Sequence, residues 1–125
     1  MTNLNPIIAP MDILIVDDEA SIRRATSLAL EAAGHYVETA ETGDVALSSL
    51  KESSFDLVLL DLYLGEESGL QVLETIRREH PGVHVVMFTA NATIPNAVEA
   101  TRLGAVDFLE KPFSPDQLRQ ALKRI

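Results

Sequence analysis

Four short apolar runs in this 125-residue chain end in groups that could do chemistry. "ILIV" (Ile13–Val16) runs into Asp17-Asp18-Glu19, "LVLL" (Leu57–Leu60) into Asp61, "VHVVMF" (Val83–Phe88) into Thr89, and "DFLE" (Asp107–Glu110) into Lys111. Adjacent carboxylates repel, and ionised ones avoid the interior unless something pairs them. Hard carboxylate oxygens favour Mg²⁺, which keeps several waters and leaves room for a phosphate oxygen. A lysine point charge and a threonine hydroxyl would bind further phosphoryl oxygens. A carboxylate beside such a cation can attack phosphorus and form an acyl phosphate. Each group alone has a plainer reading: acids solvate a loop, a single Asp often ends a strand, Thr89 by itself says almost nothing, and Lys111 before Pro112 could be an ordinary exposed lysine. Their joint occurrence at strand ends favours a site.

The elements that must position these groups alternate. The first two runs do not alternate apolar with polar residues, which predicts strands buried on both faces, as a parallel sheet requires. "YVETA" (Tyr36–Ala40) is a weaker strand between them. Ile22, Ala25, Ala29 and Ala32 fall at helical spacing, with Gly34 as the stop. Ala46, Leu47 and Leu50 mark a second helix. Leu70, Leu73 and Ile76 mark a third, with Ser68 at its cap and Pro81-Gly82 beyond it. Pro95 suits the first turn of a fourth, with Val98, Ala100 and Thr101 along one side and Gly104 closing it. "SPDQL" opens a fifth, with Ser114 as N-cap, Pro115 at the first position and Gln117 completing a capping box. Five strand–helix units predict a parallel sheet with helices on both faces and right-handed crossovers. Ligands of such sheets bind outside the carboxyl ends of the strands, where the polar groups stand.

Composition narrows the function classes. Ten basic residues against nineteen acidic ones leave a net charge of −9, a field that repels a phosphate backbone, so no direct nucleic-acid binding is expected of this segment. The absence of cysteine excludes disulfides, thiolate metal sites and a cysteine nucleophile, and fits a cytoplasmic location. No apolar run approaches membrane-spanning length, so no membrane partner is expected. Met1–Pro10, with Pro6 and Pro10, reads as a flexible tail before one domain from Met11 to Ile125. His35, His80 and His84 lack metal-ligand spacing and read as structural or surface residues.

"ILIVDDE", "DLVLLDLYL", "VVMFTA" and "GAVDFLEKPF" resemble, in order and spacing, the receiver domain of bacterial two-component response regulators, with "GAVDFLEKPFSPDQL" most similar to receivers of the NtrC and FixJ types. The resemblance covers nearly the whole chain from Met11. It implies a flavodoxin-like (CheY-like) α/β fold of five βα units in three layers, with strand order 2-1-3-4-5. It also assigns roles. Asp61 matches the phosphoacceptor, which takes a phosphoryl group from a sensor histidine kinase or phosphotransfer protein. Asp18 matches a direct Mg²⁺ ligand, with Mn²⁺ as an alternative ion. Asp17 would act mainly through water, and the Tyr63 carbonyl would be a further ligand. Thr89 and Lys111 would bind phosphoryl oxygens, and Lys111-Pro112 matches a cis peptide, an isomer largely confined to X–Pro bonds. On phosphorylation Thr89 would move inward and Phe108 follow, changing the face of the fourth helix, fifth strand and fifth helix. That face would control an output domain or partner protein, with transcription as the expected process, or form a phosphorylation-dependent homodimer. The start of the first helix, at Ile22 and Ala25, is where the family meets its kinase.

Three departures stand out. The loop "LYLGEESG" lacks the usual Pro-Gly pair and is expected to be more mobile, since glycine has more freedom than proline. Phe108 replaces a frequent tyrosine and lacks its hydroxyl. Tyr63 and Asn91, each two residues past a site residue, lie where the family tunes dephosphorylation, and the bulk of Tyr63 is expected to shield the acyl phosphate. The leading function is therefore a signalling switch with weak self-phosphorylation and autodephosphorylation, not an enzyme in the usual sense. A phosphorylation-independent adaptor is an alternative. A Mg²⁺ phosphohydrolase of the haloacid-dehalogenase type is another, but it needs a second Asp where Tyr63 stands, and a cap domain.

Overall fold

A computed structural model describes residues 9–125, so most of the expected N-terminal tail lies outside the described residues. Five strands, β1 (Asp12–Val16), β2 (Tyr36–Ala40), β3 (Leu57–Asp61), β4 (His84–Thr89) and β5 (Asp107–Glu110), form one sheet whose neighbours are all parallel, in the order 2-1-3-4-5. Between and after them run α1 (Ala20–Ala32), α2 (Gly43–Glu52), α3 (Gly69–Glu79), α4 (Ile94–Arg102) and α5 (Pro115–Lys123). The parallel sheet with helices on both faces expected from the alternation is observed, and its strand order is the flavodoxin-like one that the resemblance implied.

The unbroken apolar runs explain the layering. Successive side chains of a strand point to opposite faces. On one face Leu14, Val16, Val58, Leu60, Val85 and Met87 pack against α2, α3 and α4 through residues such as Ala46, Leu50, Leu73, Ile76 and Ala100. On the other, Ile13, Ile15, Leu57, Leu59, Val86 and Phe88 pack against α1 and α5 through Leu30, Leu118 and Leu122. The central strands β1 and β3 are therefore buried throughout apart from Asp12.

The helix boundaries follow their local signals. Thr42 and Thr93 cap α2 and α4 by accepting from the backbone N–H of Val45 and Asn96. Ser114 and Gln117 form the expected capping box on α5. Gly34 and Gly104 take the left-handed conformation (φ 95° and 106°) where α1 and α4 end. Three details differ from the sequence reading. Ser68 occupies the N-cap position of α3 but its side chain caps nothing. On α1 the inward residues are Thr26 and Leu30, with Ile22 half-buried, whereas Ala25, Ala29 and Ala32 are exposed. On α4 only Ala100 is buried, and Val98 and Thr101 face out. Alanine and valine carry too little apolar signal to fix the helix rotation; the larger leucines on the facing sheet do so.

Candidate functional site

The carboxyl ends of β1, β3 and β4 and the segment after β5 meet at one edge of the sheet, bringing Asp17, Asp18, Asp61, Thr89 and Lys111 together as expected. Asp61 closes β3 opposite Phe88 of β4 and is 4 % exposed; Asp17 follows β1 and is fully buried. Lys111 Nζ bridges them, donating to Asp17 Oδ2 at 2.8 Å and to Asp61 Oδ2 at 2.9 Å. The remaining oxygens take backbone donors: Asp17 Oδ1 accepts from the Glu19 N–H (2.9 Å) and Asp61 Oδ1 from the Tyr63 N–H (3.1 Å). Asp18 is exposed, yet one carboxylate oxygen from each of Asp17, Asp18 and Asp61 lies within 4.8 Å of the others.

The electrostatics are unbalanced. Burial pushes the Asp61 carboxyl up to about 6, against the opposing pull of the Lys111 and Tyr63 hydrogen bonds, and the Asp17 charge pushes in the same direction as burial. Burial pulls the Lys111 ammonium down, but its hydrogen bonds to Asp17 and Asp61 outweigh that and the net shift is upward. Three carboxylates with one ammonium leave an excess of negative charge. An all-oxygen donor set of this charge and spacing fits a small hard divalent cation held by few protein ligands.

Thr89 is 1 % exposed and its hydroxyl accepts from the Asn91 N–H at 3.2 Å, while its carbonyl accepts from the Lys111 N–H at 2.8 Å. The Lys111-Pro112 peptide is cis. Phe108 is half-buried against the face covered by α2, α3 and α4. Tyr63 is half-exposed, and its hydroxyl reaches Asn96 Nδ2 (3.4 Å) in the first turn of α4. Asn91 is exposed on the loop after β4.

The loop after Asp61 carries local structure for which the sequence reading named no element. Tyr63–Leu64 and Glu67–Ser68 pair as a short antiparallel ribbon, with Leu64 buried. Gly65 turns it at φ 62°, a conformation closed to proline. Two contributors to the site carried no sequence signal. The ring of Phe88 lies 4.8 Å from Lys111 Nζ, a cation–π contact, and Phe113 packs edge-on against Phe88. Arg23 Nη1 donates to the Asp17 carbonyl at 2.6 Å, tying the first turn of α1 to the acidic loop. Among the described residues no helix is long and apolar enough to cross a membrane.

Residues 13–123 match the response regulator receiver domain. The chain is 48 % identical over 109 residues to the alginate biosynthesis transcriptional regulatory protein AlgB of Pseudomonas aeruginosa, covering 87 % of this chain and 24 % of AlgB. A crystal structure of NtrX from Brucella abortus is similar at 40 % identity and a TM-score of 0.86, over 92 % of this chain and 26 % of that one. A response regulator from Burkholderia pseudomallei, solved with a phosphorylated aspartic acid, calcium ion and citrate, is similar at 30 % identity and a TM-score of 0.84, over 89 % of this chain and 65 % of that one. The chain spans about a quarter of the length of the curated relatives it matches.

Proposed function

Because this chain belongs to the response regulator receiver domain family, we propose that it is a phosphorylation switch whose acceptor is Asp61. The observation that carries this reading is the state of that carboxylate: buried at the end of β3, in contact with an ammonium, and titrating near 6, it is mostly ionised at neutral pH and nucleophilic. An Asp61 oxygen forms a bond to the phosphorus of a phosphohistidine on a sensor histidine kinase or phosphotransfer protein. The P–N bond breaks and its electron pair stays on the imidazole nitrogen. Lys111, already on Asp61, follows the phosphoryl oxygens, and the Thr89 hydroxyl turns from the Asn91 N–H toward them. The side chains of Asp17, Asp18 and Asp61 and the Tyr63 carbonyl would hold Mg²⁺ (or Mn²⁺), with Asp18 direct and Asp17 mainly through water. Bound there, the cation offsets the charge of carboxylates and phosphoryl oxygens. The reaction is stoichiometric, so the chain is a switch with slow self-phosphorylation and autodephosphorylation.

Movement of Thr89 and Phe108 then alters the α4-β5-α5 face, where Ile94 and Val98 stand 81 % and 60 % exposed and are available for an output domain, a partner protein or a second copy. Transcription is the output supported by relatives about four times longer whose names call them transcriptional regulators. The haloacid-dehalogenase alternative loses support because Tyr63, at the position of its second Asp, carries no carboxylate, and its hydroxyl accepts from Asn96 Nδ2.

The test is intact mass after incubation with acetyl phosphate and Mg²⁺, with Asp61→Asn alongside. A single phosphoryl adduct that needs Mg²⁺ and is absent in the variant is expected. No adduct and no Mg²⁺ binding would leave a phosphorylation-independent adaptor.

A further inference from the structure

Glu67 sits on the second arm of the ribbon, and its Oε1 accepts from the backbone N–H of Gly43 at 2.8 Å. Gly43 is the first residue of α2, whose initial N–H groups have no partner inside the helix. Thr42 takes one of them and Glu67, from the loop behind the phosphoacceptor, takes another. The two residues are fitted to each other. A Cβ at position 43 would lie 2.5 Å from Glu67 Oε2 and 2.7 Å from Val72 Cγ2, so the Glu67 carboxylate and Val72 approach α2 at a distance that only glycine leaves undisturbed, and the backbone there is not left-handed.

The contact has a consequence one ladder rung away. Leu64 pairs with Glu67 and Tyr63 pairs with Ser68. Tyr63 also donates its N–H to Asp61 Oδ1. The arm that carries Tyr63 is thus paired to an arm anchored on α2, and its far end is held by the Gly69 N–H on the Leu62 carbonyl at 2.7 Å. With glycine at the turn instead of a ring-restrained residue, the ribbon has little intrinsic stiffness. Its restraint must come from outside contacts, and the carboxylate of Glu67 on the helix terminus is charge-assisted and favoured by the helix dipole.

We infer that Glu67 is a positioning residue for cation binding: through the Gly43 N–H it holds the ribbon so that the Tyr63 backbone stays in place beside Asp61. The inference rests on the metal reading proposed above. It also makes α2 a reporter of the site, because the Gly43 amide and the Tyr63 backbone are coupled through the same ribbon.

The experiment is a titration of the ¹⁵N-labelled chain with Mg²⁺ alone, following the amides of Asp18, Tyr63 and Gly43 in the parent chain, Glu67→Gln and Glu67→Met. Glutamine keeps the acceptor oxygen; methionine keeps the bulk and removes it. In the parent chain and Glu67→Gln the three amides are expected to follow one binding curve. In Glu67→Met the affinity is expected to fall about tenfold, the scale of losing a partner that orients a metal ligand, and the Gly43 amide no longer to follow the ion. Acetyl phosphate labelling should split accordingly: the Mg²⁺ needed for half-maximal rate rises, while the rate at saturating Mg²⁺ returns to the parent value, which a general loss of folding would not produce. If Glu67→Met does not fold, Glu67→Ala, which keeps the helix terminus open to water, carries the same comparison. Parent-like Mg²⁺ affinity in a folded variant lacking the acceptor overturns the inference. A parent chain whose Asp18 and Tyr63 amides ignore Mg²⁺ overturns the metal reading itself.

Discussion

At the amino ends of the strands, polar side chains, buried at His35, half-buried at Arg77 and exposed at Asp56, each satisfy one backbone group. His35 Nδ1 accepts the Met11 N–H (3.0 Å), Asp56 Oδ2 accepts the Asp12 N–H (2.8 Å), and Arg77 Nη1 donates to the Val83 carbonyl (2.7 Å). At the carboxyl ends, two buried carboxylates share one lysine, with a third acid beside them. The first arrangement is electrically settled. The second is tolerated only because Lys111, backbone donors and, by our proposal, a cation offset it. The difference separates polar groups that hold the fold from polar groups that wait for a ligand, within one sheet and a few strand lengths of each other.

Breaking the comparison at its most unbalanced point gives the largest effect. Lys111→Ala leaves Asp17 and Asp61 buried without their ammonium, and loss of one partner from a buried ion pair costs about 3 kcal/mol or more. Denaturant unfolding at neutral pH should show that loss, and Mg²⁺ should recover part of it, by about 2.7 kcal/mol at a hundred times its dissociation constant. A Lys111→Ala protein as stable as the parent without metal would mean that the carboxylates are not strained.

The next effect is a pH dependence of opposite sign at the two ends. The folded-state pKa of Asp61 lies above its unfolded value, so the folded chain binds more protons and stability falls as pH rises from about 4 to about 6. The shift corresponds to about 2–3 kcal/mol. Asp61→Asn should therefore melt higher than the parent above pH 6, with the gap closing near pH 4, while it loses all phosphoryl acceptance. Burial pulls the His35 imidazole down, so the unfolded chain takes up its proton first and stability falls as pH drops below about 6.5. His35→Ala should cost about 1–2 kcal/mol by leaving the Met11 N–H unpaired and flatten that acid limb, with phosphorylation by acetyl phosphate unchanged. Chemical denaturation across pH 4–8 measures both slopes; equal slopes in parent and variants would erase the contrast.

The smallest effect sharpens the ligand end alone. Tyr63→Ala is expected to speed hydrolysis of the acyl phosphate by a few fold, since the ring stands at the exposed rim of the site and is steadied by Asn96. An unchanged dephosphorylation rate would remove Tyr63 from the list of tuning residues.

Much of the molecule was legible from local pattern. Ile13–Val16 and Leu57–Leu60 read as doubly buried strands because nothing polar interrupts them, and the acids behind them had to lie at strand ends. Ser114, Pro115 and Gln117 announced the start of α5 because capping depends on residues a few positions apart. Alternation of such elements predicts a parallel sheet covered on both faces, with Asp17, Asp61, Thr89 and Lys111 along its carboxyl edge; the strand order came from the family resemblance and not from the alternation. Other features were decided only by packing. The inward face of α1 runs through Thr26 and Leu30 and not through its alanines; Phe88 lies under Lys111; Arg23 reaches the Asp17 carbonyl; and Glu67 meets Gly43 across 24 residues of sequence. Each of these depends on the rotation of a helix or the reach of a side chain between segments distant in the chain. Hydrophobic periodicity and turn chemistry fix where an element begins and which residue ends it, but the distances between elements are set by how the side chains interlock.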